Sequence, residues 1–80
     1  MDDLHLRIRR WRETAHLTRA ALAAKVGVSP ASVTYWEMEG RHGPATDRLP
    51  AIAAACGVSL SVFFGHIPPE PAPEPKAAEG

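Results

Sequence analysis

Thr18-Arg19-Ala20-Ala21-Leu22-Ala23-Ala24-Lys25-Val26-Gly27-Val28-Ser29-Pro30-Ala31-Ser32-Val33-Thr34-Tyr35-Trp36-Glu37 is the stretch that decides the fold. It reads as two short helices joined by three residues. Thr18 is placed to cap the first, its side-chain oxygen accepting an orphan amide hydrogen one turn in. Leu22, Ala23 and Val26 recur at helical spacing and define a buried face. Gly27 stops the helix, because only glycine takes the left-handed conformation there at little cost. Val28, the single apolar residue of the turn, is expected to be a buried plug. Ser29 caps the next helix, and Pro30 suits its first position, where a missing amide costs nothing. Val33 and Trp36 then face inward with Glu37 beside them.

The same punctuation continues outward. Upstream, Leu4, Ile8, Trp11 and Ala15 are spaced by four, three and four residues, one apolar stripe on a helix with Asp2 or Asp3 as its cap. Arg9 and Arg10 point away from that stripe, Arg12 lies at its flank, and Leu6, nearly opposite, is expected to be exposed. Downstream, Gly40 is expected to end the helix that Ser29 caps, and Gly43-Pro44 continues the break. A fourth helix is expected from about Asp47 to Cys56, its stripe formed by Leu49, Ile52, Ala53 and Cys56. Pro50 falls within its first turn whether Thr46 or Asp47 is the cap. Gly57 closes it, and Ser59 caps a last short helix carrying Leu60, Phe63 and Phe64. Almost no alternating pattern is present, so the expectation is an all-α, compact five-helix domain over residues 1–65.

Composition agrees with one small domain. The chain has 80 residues, 45% hydrophobic and 22% charged, too short for a two-domain enzyme. Its net charge is zero, yet unevenly spread. Residues 1–65 hold eight basic and six acidic side chains, residues 66–80 one basic and three acidic. The mild positive charge therefore sits on the part expected to fold. Residues 67–75 contain five prolines, each lacking an amide donor, so residues 66–80 read as an extended or disordered Pro-rich tail. The single cysteine excludes an intrachain disulfide and suggests a reducing, cytoplasmic compartment. No apolar run approaches a membrane span, and the opening residues resemble neither a secretory nor a transit signal.

A glycine-containing turn of this length sets two helices at a steep angle. The first then braces on the phosphate backbone while the second enters the major groove of duplex DNA. Around this helix-turn-helix, residues Ile8 to Phe64 resemble the Cro and phage-repressor (lambda-repressor-like) family. The resemblance is carried by Ile8-Arg9-Arg10-Trp11-Arg12-Glu13, Leu17 to Ser29, Val33-Thr34-Tyr35-Trp36-Glu37, and Leu49 to Phe64 with Cys56-Gly57-Val58-Ser59-Leu60. It implies five helices and binding to double-stranded operator DNA, usually as a two-fold dimer. It further implies that Arg12 and Glu37 form an ion pair tying helices together.

On this reading Ser29, Pro30, Ala31, Ser32, Thr34 and Tyr35 face DNA, with Ser32 and Tyr35 the leading base contacts. The set holds no Arg, Asn or Gln, the strong bidentate readers of bases, so discrimination is expected from DNA shape and from arginines outside the helix. Arg19 and Arg41, at segment ends, are the expected phosphate clamps; Arg7, Arg9 and Arg10 are expected on the solvated surface. His5, His16, His42, His66 and Cys56 lack metal-ligand spacing, so no metal or other cofactor is expected. Nor does any catalytic constellation emerge, and Trp11, Trp36 and Cys56 belong to the core. The expected function is a DNA-binding transcriptional regulator acting as a homodimer, through the region of Val62, Phe64 and Ile67 or through Leu6. The alternative is a DNA-binding antitoxin, or another interaction module, that grips a protein partner with its tail or last helix.

Overall fold

Hydroxyl caps set three of the five helix starts. The computed structural model describes residues 3–71. Helix α1 spans Leu4–Thr14, α2 Arg19–Val26, α3 Pro30–Trp36, α4 Leu49–Ala55 and α5 Leu60–Gly65. Thr18 Oγ1 accepts from the Ala21 amide at 3.0 Å, Ser29 Oγ from Ser32 at 3.3 Å, and Ser59 Oγ from Val62 at 3.1 Å. Gly27 (φ +91°) and Gly57 (φ +81°) end α2 and α4 in the left-handed conformation. The following amides, Val28 and Val58, fold back onto the Ala23 and Ala53 carbonyls at 2.9 and 3.0 Å. The same Gly-Val-Ser unit thus closes one helix and opens the next twice.

Helix α3 ends at Trp36 with Glu37 as its C-cap, short of the expected stop at Gly40, which is left-handed in the loop beyond (φ +82°). The other two starts also differ from expectation. Asp3 stands before α1 and makes no side-chain cap bond; Asp2 lies outside the described residues. Neither Thr46 nor Asp47 caps α4, because Thr46–Arg48 form a single 3-10 turn that runs directly into it. That turn supplies the preceding backbone on which the helix grows, so no capping side chain is required, and Pro50 falls in its first turn. Among the described residues the protein is all-α, a compact small helical domain with no sheet.

The core consists of Ile8, Trp11, Leu22, Ala23, Val33, Trp36, Ile52, Ala53, Cys56 and Phe63. Helix α2 lies at its centre, packed on α3 and α4, while α5 rests on α4 and α1. Trp11 Nε1 donates to the Phe63 carbonyl at 3.1 Å, so the indole buries its one polar atom without loss. Val28 is half-buried against the core. Leu6 is half-buried too, where exposure was expected.

The first residues of the Pro-rich segment also depart from expectation. His66 sets its ring edge-on to Trp11, centroids 5.2 Å apart. Pro68 is buried. Arg7, expected in solvent, is half-buried and donates Nη1 to the Phe63 and His66 carbonyls at 2.9 and 3.0 Å. Its guanidinium also stacks over Phe64. Residues 66–71 therefore lie against α1 without regular secondary structure. Proline cannot join a helix interior, yet its ring packs as an apolar side chain and it leaves no amide donor to satisfy. The expected disorder over residues 72–80 lies outside the described residues.

Candidate nucleic-acid interface

The turn presents α3 as a rod with one anchored and one open face. Val33 is fully buried and Trp36 nearly so. Pro30, Ala31, Thr34 and Tyr35 are exposed, as is Ser29 at the cap, and Ser32 is half-buried. Three hydroxyls are already engaged locally. Ser29 and Ser32 share a hydrogen bond at 3.2 Å, and Thr34 Oγ1 donates to the Pro30 carbonyl one turn back at 3.2 Å. Thr34 thereby offers only its lone pairs outward. The exposed face is thus mostly shape: a proline ring, a methyl and an aromatic ring.

Arg41, beyond the end of α3, places its guanidinium 5.6 Å from the centroid of the Tyr35 ring. The two side chains form one patch, a flat aromatic carrying a cation. Arg19, first residue of α2, is on a different footing. Its Nε donates to Glu37 Oε1 at 3.1 Å, and the side chain remains 45% exposed.

Glu37 is the hub beneath this surface, its side chain only 2% exposed. Arg12, from α1, donates Nε to Glu37 Oε2 at 2.7 Å and Nη2 to Oε1 at 3.1 Å. Arg12 Nη1 goes to the Leu17 carbonyl at 2.9 Å. The structure therefore brings Arg12 and Glu37 together and adds Arg19 as a third member. One carboxylate faces two guanidiniums, which leaves a net positive charge where α1, α2 and the end of α3 meet. Reading the sequence paired Glu37 with Arg12 alone and missed its bond to Arg19. The signal was available: Arg19 opens one helix of the turn, Glu37 ends the other, and a steep crossing brings those points together.

Elsewhere chemistry is sparse. Among the described residues no group of three or more His, Cys, Asp or Glu side chains is placed to hold a metal ion. No described helix is long and apolar enough to cross a membrane. Burial pushes the Cys56 thiol up to about 11, so it stays protonated and inert at neutral pH. Arg9 pairs with Glu13 along α1 at 3.1 Å, the arginine half in solvent and the carboxylate partly buried.

Compared with known families, residues 8–63 match the helix-turn-helix model. The chain belongs to the helix-turn-helix family. No curated protein is similar enough to match it. The matched region runs from the buried Ile8 of α1 to the buried Phe63 of α5, so the family's extent coincides with the core of this helix-turn-helix protein. DNA-binding regulation, in general terms, is the function that membership supports.

Proposed function

We propose that this helix-turn-helix protein is a double-stranded-DNA-binding transcriptional regulator of the lambda-repressor-like kind. It acts in the cytoplasm as a homodimer and reads an operator with α3. The observation that carries the reading is the two-faced α3: Val33 and Trp36 fix its tilt, and Pro30, Ala31, Thr34 and Tyr35 are left facing outward. Ser29, Ser32, Thr34 and Tyr35 supply permissive hydrogen bonds, and Pro30 and Ala31 pack against thymine methyls. Arg19 and Arg41 neutralise phosphates on either side. Sequence preference comes mainly from DNA shape, since no bidentate base reader faces outward.

Selection of bound duplexes from a random pool, followed by a base-by-base operator scan, tests this. The expected result is a salt-dependent, graded preference spread over the site. Losses near ~3 kcal/mol at several single base pairs, the top of the mismatch range, would contradict the shape-based reading. No salt-dependent binding to any duplex would remove the function itself.

Exposed apolar side chains on α5, Leu60, Val62 and Phe64, support association and keep a second reading in view. In that reading the protein is an antitoxin whose last helix or tail holds a toxin while α3 binds DNA. Sedimentation separates the two. A dimer that forms at micromolar concentration and dissociates on Val62→Glu supports the regulator. A monomer that acquires a defined stoichiometry only with a co-expressed toxin supports the antitoxin.

A further inference from the structure

Two arginines share Glu37, and their guanidiniums are used differently. Arg12 spends Nε, Nη1 and Nη2 on the protein itself and is 9% exposed. Arg19 spends only Nε, and among the described residues no partner meets its two terminal amino groups. We propose that Arg19 is a preset phosphate fork, its Nε locked on Glu37 and its terminal amino groups held out for a backbone phosphate of DNA, with Glu37 as its positioning residue. This rests on the DNA-binding reading above and goes further, assigning geometry to one contact. Because Glu37 is itself buried and fixed by Arg12, the hold on Arg19 is rigid at its base. A planar guanidinium serves both partners at once through different nitrogens. A lysine ammonium at the same place has one nitrogen and must divide it between carboxylate and phosphate.

The test compares the parent with Arg19→Lys and Arg19→Gln. Both variants keep the Arg12–Glu37 pair, and melting followed by circular dichroism verifies that they are folded. Binding to a fluorescein-labelled duplex of mixed sequence is titrated across a series of salt concentrations. Arg19→Gln is expected to lower the slope of log affinity against log salt by about 0.9 per bound subunit, one phosphate contact fewer. Arg19→Lys is expected to keep that slope, since the charge remains, yet to bind about fivefold more weakly at every salt concentration, roughly one ordinary hydrogen bond. An unchanged slope in Arg19→Gln overturns the phosphate contact. Arg19→Lys binding as tightly as the parent overturns the fork and the role of Glu37. If the parent shows no salt-dependent binding, DNA recognition itself fails, an outcome distinct from both.

Discussion

Replacing Glu37 by glutamine removes one charge and no volume, so its cost measures the hub directly. Three N–H groups converge on the two carboxylate oxygens: Arg12 Nε on Oε2, and Arg12 Nη2 with Arg19 Nε on Oε1. An amide offers one acceptor oxygen and one NH2 group. Its best placement puts oxygen at the Oε1 position and keeps two bonds. The NH2 group then meets Arg12 Nε, donor against donor, where the present separation is 2.7 Å. Arg12 is left charged, 11% exposed at its side chain, and holding only neutral acceptors. Breaking a buried pair costs about 3–5 kcal/mol, and the two surviving bonds plus the Leu17 carbonyl place Glu37→Gln near the lower end, about 3 kcal/mol. At about 4–8 °C per kcal/mol for a domain of this size, the melting temperature falls by about 12–24 °C.

Thermal and urea unfolding followed by circular dichroism measure this, with Glu13→Gln as control. Glu13 pairs with Arg9 at helical spacing, with 25% and 50% of the side chains exposed, and such a pair contributes only about 0.3–0.5 kcal/mol. The urea m-value is expected to be unchanged, because the same core is exposed on unfolding. Molar salt, which shortens the screening length to about 3 Å, is expected to erase the control's small effect and leave most of the Glu37 effect. A loss at Glu37 no larger than at Glu13 would refute the reasoning, since the carboxylate would then be exchanging with water.

Two left-handed residues give opposite expectations. His16 sits at φ +59° as the chain leaves α1, so His16→Gly is expected to raise stability by about 0.5–1 kcal/mol, while Gly27→Ala, at φ +91° with open space around it, is expected to lower it by about 1–2 kcal/mol, both read from urea midpoints. Ending the chain after Gly65 removes the His66 carbonyl from Arg7 and the cover from Trp11; a red shift in tryptophan emission and a lower urea midpoint are expected, and an unchanged spectrum would show that residues 66–71 do not hold to α1 in solution. The folded Cys56 thiol, raised to about 11 by burial, is expected to react with a disulfide reagent at pH 8 far more slowly than in urea. Because the thiol is protonated in the fold after it has ionised in the unfolded chain, its contribution to stability is complete below about pH 9 and declines as pH rises from 9 to 11.

Reading the sequence located what is local. A hydroxyl cap needs only its own turn, so Thr18, Ser29 and Ser59 announce themselves, and a glycine at a helix end announces the left-handed residue. The apolar stripes predicted Ile8, Trp11, Leu22, Ala23, Val33, Trp36, Ile52, Ala53 and Cys56 as core for the same reason, periodicity within one helix. What escaped depends on partners far along the chain. Arg7 looks like surface by composition, and only the return of Phe63 and His66, more than fifty residues later, gives its guanidinium two carbonyls. Pro68 escaped because proline-rich composition reports the absence of regular structure and says nothing of packing. The 3-10 turn at Thr46–Arg48 escaped because Thr46 and Asp47 are residue types that cap, while the backbone there needed no cap.

Glu37 joins these two kinds of information. Its position after Trp36 is readable from one helix, and its burial follows from three. The carboxylate that holds Arg12 against the core is the same one that holds Arg19 at the surface, so on the proposed DNA-binding reading charge at this point serves packing and recognition together. The two roles still separate by partner. Each of the three Arg12 guanidinium nitrogens donates within the protein, and Arg12 acts on stability; Arg19 is half in solvent, its terminal amino groups open to whatever approaches α2. A substitution at Arg12 is therefore expected to shift the melting temperature with the salt slope of duplex binding intact among molecules that remain folded, and one at Arg19 to do the reverse. Glu37 alone moves both, because removing it unfixes the buried pair and releases the exposed fork in a single change.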